Sequence, residues 1–339
     1  MGLAGSVRAT AGVMIAVTAV ALAVACSSAD AEPTLTVGAG DSAQSRIIAQ
    51  IYAQALARAG TRAVTREHLG QRADYLAALD AGTVTVVGDT SGDLLRAFDS
   101  SSRASAPDRA VAAKIADDRT PSTPPTEAAA PGGSDATRVD SVAEDLSRAV
   151  PEGLAISDLA DATDLRPQLA LAPSAAARFP VDATALAPHC AELSVGIATG
   201  HELDPLRIAP DPQRDVLTPL HEVYGCDIVR HITFASDSDL RKALREGQID
   251  AGVFTSAVAL LPGGPGDLAV VADPYYAFRA QNVIPLLRQG ALDRRQLEKL
   301  NYVAGELTAA DFADLVRRVR DEHAPAAEVA RAWLDEHAL

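Results

Sequence analysis

Aromatic side chains are scarce in this chain. They make up 4% of its 339 residues, with a single Trp, so any core must be built from Ala, Val, Leu and Ile. A hydrophobic content of 48% is enough for that. Cysteine is nearly missing, at 3 residues, and the 7 His are scattered. No Cys or His pair has metal-ligand spacing, so no metal site and no cofactor is expected. Basic charge is outnumbered, 30 Lys and Arg against 45 Asp and Glu, for a formal net charge of −15. That balance argues against nucleic acid and against anionic lipid surfaces as partners, and it favours a soluble monomer. A membrane-spanning run is also missing: the uncharged stretch Ala9 to Ala25 is short for a bilayer span.

That stretch instead has the character of an export signal. Arg8 precedes it, and small residues lead into Cys26 within LAVACSS. The pattern resembles a lipobox, in which Cys26 is lipidated and becomes the first mature residue. Residues 1–25 are read as a lipoprotein signal peptide and 26–33 as the lipidated tether, which places the protein at the outer face of the cell membrane. Export permits a disulfide between Cys190 and Cys226, each just ahead of an apolar run, and leaves open two buried thiols.

From Thr34 the pattern is β-α-β-α-β-α: TLTVGAG, SAQSRIIAQIYAQALARAG, TRAVTREHLG, QRADYLAALDAG, TVTVVG and SGDLLRAF. Such alternation implies a parallel sheet. Between Asp99 and Asp140 the pattern collapses into Ser, Pro, Ala and Gly, and no aromatic residue occurs between Phe98 and Phe179. This composition predicts a disordered insertion with a short helix near Arg109 to Ala116. Order returns at SVAEDLSRAVPEGLAI, and QLALAPSAA (168–176) reads as a crossover strand. AELSVGIA, DVLTPLHEVYG, VRHITF, SDLRKALREG and QIDAGVF form a second β/α set. DLAVVADP and NVIPLLRQ follow as strands, and three helices end the chain. Trp333, in register with Val329 and Leu334 on the last of these, reads as packing.

One frame occurs twice: ALDAGTVTVVGDTSG (78–92) and ALREGQIDAGVFTSA (243–257). Both run Ala-Leu-x-x-Gly, an apolar strand, then Thr-Ser, which points to two related lobes. The predicted architecture is α/β and two-lobed. Residues 34–98 and 141–175 form lobe 1 and the crossover, 176–265 form lobe 2, and 266–339 return to lobe 1. Ligands of open α/β sheets bind at the carboxyl ends of strands, so Thr90, Ser91, Thr255 and Ser256 are expected at a cleft between the lobes. The alternative for each is a helix cap.

The order of motifs resembles the glycine betaine/choline/carnitine-binding proteins of osmoprotectant ABC importers. In that family a strand and Gly-Ser-Lys-x-Phe-x-Glu-Gln precede a Tyr-Ala-Gln helix, Leu-Gly-x-Arg, Ala-Leu-x-x-Gly and Pro-Glu-Tyr-Thr-Gly-Thr. Here LTPLHEVYGCD, ALREGQIDAGVFTS and LAVVADPYYAFRAQNVIPLL continue the likeness. The resemblance covers most of 34–98 and 141–339. It implies a type II periplasmic-binding-protein fold that closes on a small solute and hands it to an ABC permease, with no enzymatic activity. It also implies a cage of tyrosines around a quaternary ammonium.

Position by position the cage is mostly lost. Thr90 stands for a cage tyrosine, Gly40 (followed by Asp41) for the lysine, Phe254 for the tyrosine before Ser-Thr, and Gln281 for the tyrosine before Asn-x-x-Pro. Tyr275, Tyr276 and Phe278 lie just upstream of Gln281. Asp164 and Arg166–Gln168 match an Asp-Tyr pair without an aromatic, and Arg214 stands near a family arginine. Phe254 is the aromatic expected to face the cleft. With Ser91, Asp93 and Thr255, these residues predict a more polar pocket and a ligand that has drifted from betaine or choline. A ligand-incompetent or sensory relative acting through a membrane partner is the second reading.

Enzyme readings are weaker. Gly38, Gly40 and Ala43 fit G-x-G-x-x-A, but an exported protein has little access to NAD. Gly88-Asp89-Thr90-Ser91-Gly92 has its Ser in the wrong place for a nucleophile elbow, and HEL at 201–203 lacks the second His of a zinc helix.

Overall fold

The repeated frame is a helix stop followed by a strand. In a computed structural model that describes residues 34–119 and 140–339, Gly82 and Gly247 both take left-handed φ, 70° and 69°. Gly82 N–H donates to Leu79 O and Thr83 N–H to Ala78 O; Gly247 N–H donates to Leu244 O and Gln248 N–H to Ala243 O. That is the Schellman closure in both copies. The Ala supplies the outer carbonyl, and the Leu (79 or 244) is fully buried. A side chain at either glycine strains the turn, so Gly247→Ala, in open space, is expected to cost about 1 kcal/mol in chemical denaturation. Gly82→Ala is expected to cost a similar amount, because only the movable tip of the exposed Arg288 stands near its Cβ.

Around these frames the chain builds β1 (Leu35–Gly38), α1 (Ala43–Arg58), β2 (Ala63–Arg66), α2 (Arg72–Asp80), β3 (Val86–Thr90), α3 (Ser91–Phe98), α4 (Arg109–Arg119), α5 (Val142–Ala149) and β4 (Leu154–Ile156). Then come β5 (Gln168–Leu171), the short α6 (Pro173–Ala176) and α7 (Ala183–Leu186), β6 (Ser194–Ala198), α8 (Thr218–Tyr224), β7 (Arg230–Phe234), α9 (Asp237–Arg245), β8 (Ala251–Phe254) and β9 (Ala269–Val270). β10 (Val283–Arg288), α10 (Arg294–Glu306), α11 (Ala309–Arg320) and α12 (Ala326–Glu336) complete it.

The two five-stranded sheets have one topology. Their orders are β2-β1-β3-β10-β4 and β7-β6-β8-β5-β9. In each, three strands are parallel and the fourth, β10 or β5, runs antiparallel after crossing from the other lobe. This is the two-lobed type II binding-protein architecture. Gln168–Leu171, expected in the crossover, is instead a full member of the second sheet, paired to Ala251–Phe254. Parallel strands buried on both faces read as unbroken apolar runs, as in β8, all four residues of which are buried.

The stretch expected to be a disordered insertion is in part structural. Ala104 and Ala106 are fully buried, Ala106 bridges Ser141, and α4 packs Ala112 and Ile115 beside Tyr275 and Tyr276. Small residues fit here because the return crossover holds them from outside: Arg279 donates to the carbonyls of Ser102 and Ala104. Residues 1–33, read above as a signal peptide and a tether at Cys26, and residues 120–139 of the insertion lie outside the described residues. No helix among the described residues is long and apolar enough to cross a membrane.

The C-terminal helices tie the lobes together. α10, α11 and α12 pack on α1, Gln54 donates to Ala327 O at 2.9 Å, and Arg320 reaches lobe 2 at Leu260 O, 2.8 Å. Trp333 is buried in this layer. Cys190 and Cys226 are bonded in lobe 2, with Cα atoms 5.4 Å apart.

Candidate ligand cleft

A cleft of about 630 Å³ opens between the lobes. Its floor is made by residues that each lobe sends toward the other. After β6 the chain makes a strap, residues 199–212, that leaves lobe 2 and docks on lobe 1. Gln44 donates to Leu203 O at 3.1 Å and Arg72 to Leu206 O at 2.9 Å. Leu206 is buried in the lobe 1 core. It also closes the glycine turn after β1, where a Cβ on Gly40 would lie 2.8 Å from its Cδ1. The G-x-G-x-x-A turn is therefore packed with Leu206 and has no room for a phosphate.

The lobes hold the cleft with buried polar ties at equivalent positions. Arg72 opens α2 and Asp237 opens α9. Arg72 grips Asp89, at the end of β3, through two bonds of 2.8 Å. Asp237 accepts from the Thr255 N–H and hydroxyl, both at 2.8 Å, just after β8. Burial pushes the Asp237 carboxyl up, against the pull of those hydrogen bonds.

The predicted residues divide. Asp93, Arg214, Thr255 and Gln281 line the cleft. Gln281 is committed to Asp93, accepting from its N–H at 3.0 Å and donating to Oδ1 at 3.1 Å. Gly40 is under Leu206, and Asp41 lies at the surface beside His68. Thr90 sits in a separate small recess with Ser45, Asp204 and Leu206. Ser91 and Ser256 are fully buried and serve the crossovers: Ser91 Oγ accepts from Asn282 N–H, and Ser256 Oγ donates to Leu165 O. Phe254 does not face the cleft; its ring is wholly inside the lobe 2 core. On a strand buried on both faces, position parity does not tell which side looks at the cleft.

Sequence reasoning missed the arginines. Arg96, Arg207 and Arg279 line the cleft with Arg214. They come from a helix, the strap and the return crossover, so no spacing motif joins them. Arg96 of α3 bridges the lobes: it meets Asp215, in a π-helical turn (Gln213–Leu217) ahead of α8, through two bonds of 3.0 Å. Burial pushes the Asp215 carboxyl up, but Arg214, the Asp211 N–H and Arg96 outweigh it and bring the group down to about 2. Its stabilising charge is fully present above the ordinary aspartate range and is lost only as pH falls through about 2. Interlobe distance, read by fluorescence energy transfer, is expected to stay constant from pH 8 to 4. Arg96→Ala is expected to open the lobes at all these pH values, at a loss of about 1–2 kcal/mol.

The aromatic residues at the cleft are Tyr276 and Phe278. Phe278 is 2% exposed. Tyr276 takes a left-handed φ of 54°, a strained state for an aromatic residue. Asp273 holds that turn by accepting from the N–H groups of Ala277 and Phe278 at 2.8 and 3.1 Å and from the Tyr224 hydroxyl at 2.6 Å. The Arg166 guanidinium lies over the Tyr276 ring, 3.7 Å from its centre, and pairs with Asp164 and Asp273 at 3.1 and 3.4 Å.

Residues 33–172 and 208–336 match the family described as the substrate-binding domain of ABC-type glycine betaine transport systems. The chain belongs to that family. No curated protein matches it in sequence. Among solved structures, this substrate-binding domain is similar to apo YehZ from Escherichia coli, at 15% identity over 89% of this chain and 98% of that one, with a TM-score of 0.62. It is also similar to a glycine betaine/carnitine/choline ABC transporter structure, at 14% identity over 90% and 98%, with a TM-score of 0.64. At such identities the likeness speaks for the fold. Substrate-binding domains of this family bind small solutes outside the cytoplasm and are not an enzyme family.

Proposed function

We propose that the protein is an exported lipoprotein, anchored through Cys26 to the outer face of the cell membrane. It captures a small osmoprotectant-like solute between its lobes and delivers it to an ABC permease. The observation that carries this reading is the interlobe cleft of about 630 Å³, closed over by the Arg96–Asp215 bridge. A cleft of that size suits a small molecule. Family membership adds the permease and glycine betaine as a reference ligand, and the similar transporter structure suggests carnitine and choline as further candidates.

The test is thermal unfolding of the purified protein with betaine, choline, carnitine, proline betaine, ectoine, amino acids and sugars. A ligand that binds only the folded state raises the melting temperature, by about 2.7 kcal/mol of stability at a hundredfold excess over Kd. A clear rise with any member supports capture. Cys26→Ser is expected to move the protein from the membrane fraction to the medium.

A second reading has one observation in its favour: a guanidinium of the protein itself covers a ring where the family's cage would need a free aromatic face. It is a ligand-incompetent or sensory relative that acts through a membrane partner. Folded protein that responds to nothing in the panel would move the assignment there.

A further inference from the structure

We propose that the cleft recognises its solute through a carboxylate and does not require a quaternary ammonium. The inference rests on the reading of the protein as a solute receptor and names the class of solute.

The first observation is the charge left over in the cleft. Arg72 and Arg207 are offset by Asp89 and Asp93, which stand 2.8 Å from Arg72 and 3.8 Å from Arg207. Arg96 and Arg214 are offset by Asp215, with Asp211 beside it. The exposed rim residues Arg103 and Glu222 cancel. Arg279 remains. Its head is fixed by two neutral carbonyls, Ala104 O at 2.8 Å and Ser102 O, and forms no ion pair among the described residues. Burial and the nearby Arg96 charge work against its cation more than the charges of Asp215, Asp93 and Asp145 favour it, an imbalance that a bound anion would relieve. In a protein with a net charge of −15, a surplus cation inside the cleft is a local reversal of sign.

The second observation is a guanidinium nitrogen in want of an acceptor. Arg207 is 7% exposed and lines the cleft. Nη1 donates to Leu165 O and Thr255 O at 3.0 and 2.8 Å, while the buried Nη2 has no partner. A buried charged donor without a partner carries a desolvation cost that an oxygen ligand removes. Arg207 is placed by the strap and Arg279 by the return crossover, so an anion held by both would join the segments that connect the lobes.

The third observation concerns the other end of the solute. A trimethylammonium needs open aromatic faces. Phe278 is buried, and Arg166 stands over Tyr276. The cation–π position at Tyr276 is filled by the protein's own cation.

The test compares isosteres by calorimetry on the purified protein. 3,3-Dimethylbutyrate keeps the carboxylate of glycine betaine and replaces its ammonium nitrogen by carbon; choline keeps the ammonium and has no carboxylate. Mono- and dicarboxylates and amino acids complete the panel. The expected result is binding of carboxylates, no binding of choline, and less than a threefold difference between betaine and 3,3-dimethylbutyrate. Arg279→Gln is expected to weaken carboxylate binding at least tenfold, and Arg279→Lys to restore part of it. Choline binding, or betaine bound more than tenfold tighter than its isostere, would overturn the carboxylate assignment and leave the solute receptor standing. Silence of the folded protein towards every probe would overturn both. The isostere comparison needs no variant, so a misfolded Arg279→Gln does not affect it.

Discussion

Asp89→Ala is expected to destabilise the protein by about 3–5 kcal/mol, the largest loss for any single substitution outside the hydrophobic core. Asp89 and Arg72 are 6% and 11% exposed in their side chains. The carboxylate takes two bonds of 2.8 Å from the guanidinium, one from the Tyr75 hydroxyl, and caps the Thr90 N–H at 2.7 Å. Truncation strands a buried cation and a buried phenol at once. Asp93, 3.4 Å from Arg72, is already shared with Gln281 and cannot replace Asp89. Desolvation works against the Arg72 charge, yet Asp89 more than restores it, so removing either partner leaves the other buried and unpaired. Arg72→Met with Asp89→Leu is therefore expected to recover part of the loss, since removing both charges removes the desolvation penalty. Urea denaturation of the two single variants and the double variant checks this. A loss below about 1 kcal/mol for Asp89→Ala would mean that water reaches the pair.

The same substitution reaches the cleft by a short route. Arg72 also holds Leu206 O, and Leu206 is the neighbour of Arg207 on the strap. Losing the grip on Arg72 frees the segment that aims Arg207. Solute affinity should drop even where the variant remains folded.

The fold was legible because it is written twice. Ala-Leu-x-x-Gly has one physical meaning, a helix closed by a left-handed glycine and followed by a strand, and both copies carry it out. Alternating β and α units then restrict the chain to parallel sheets, and the two orders are the same. Membership of β5 was not legible, because QLALA has the composition of any buried strand and its partner β8 lies far along the chain. The segment Asp99–Arg119 was misjudged for a related reason. Its Ser and Ala residues offer little burial of their own, and order comes from Arg279, more than a hundred residues away, bonding their carbonyls.

The site was legible mainly near strand ends. Thr255 follows β8, Gln281 precedes β10 and Asp93 lies in the first turn of the helix after β3, and all three line the cleft, as does the predicted Arg214. Phe254 failed because a strand covered on both faces gives no facing signal. Arg96, Arg207 and Arg279 were invisible because three separate segments deliver them. The resemblance named positions for an aromatic cage, and this chain has put arginine chemistry around them: Arg166 at the matching crossover position, over Tyr276. Scarcity of aromatics, the first feature of the composition, has its structural counterpart there.

Breaking the Cys190–Cys226 bond should produce the second large effect, a loss of about 3–4 kcal/mol for a loop of this length. The bond closes a loop with a sequence separation of 36, which contains β6, the strap and α8 and is also held by the pairing of β6 to β7 and β8 and by Arg230 on Glu192 O. Both sulfur atoms lie in the lobe 2 core, so Cys190→Ser with Cys226→Ser adds buried hydroxyls, and Cys→Ala at both positions is the cleaner variant. The melting temperature is expected to fall by roughly 5–10 °C, and reductant should do the same to the native protein and nothing to the variant. An unchanged melting temperature would show that the loop is held without the bond. The functional effect follows from position. Cys226 ends the segment whose first turn carries Arg214 and Asp215, the lobe 2 half of the bridge to Arg96. Loss of the bond should therefore loosen the interlobe clasp before it unfolds the lobe, so faster solute release is expected at temperatures where circular dichroism is still native.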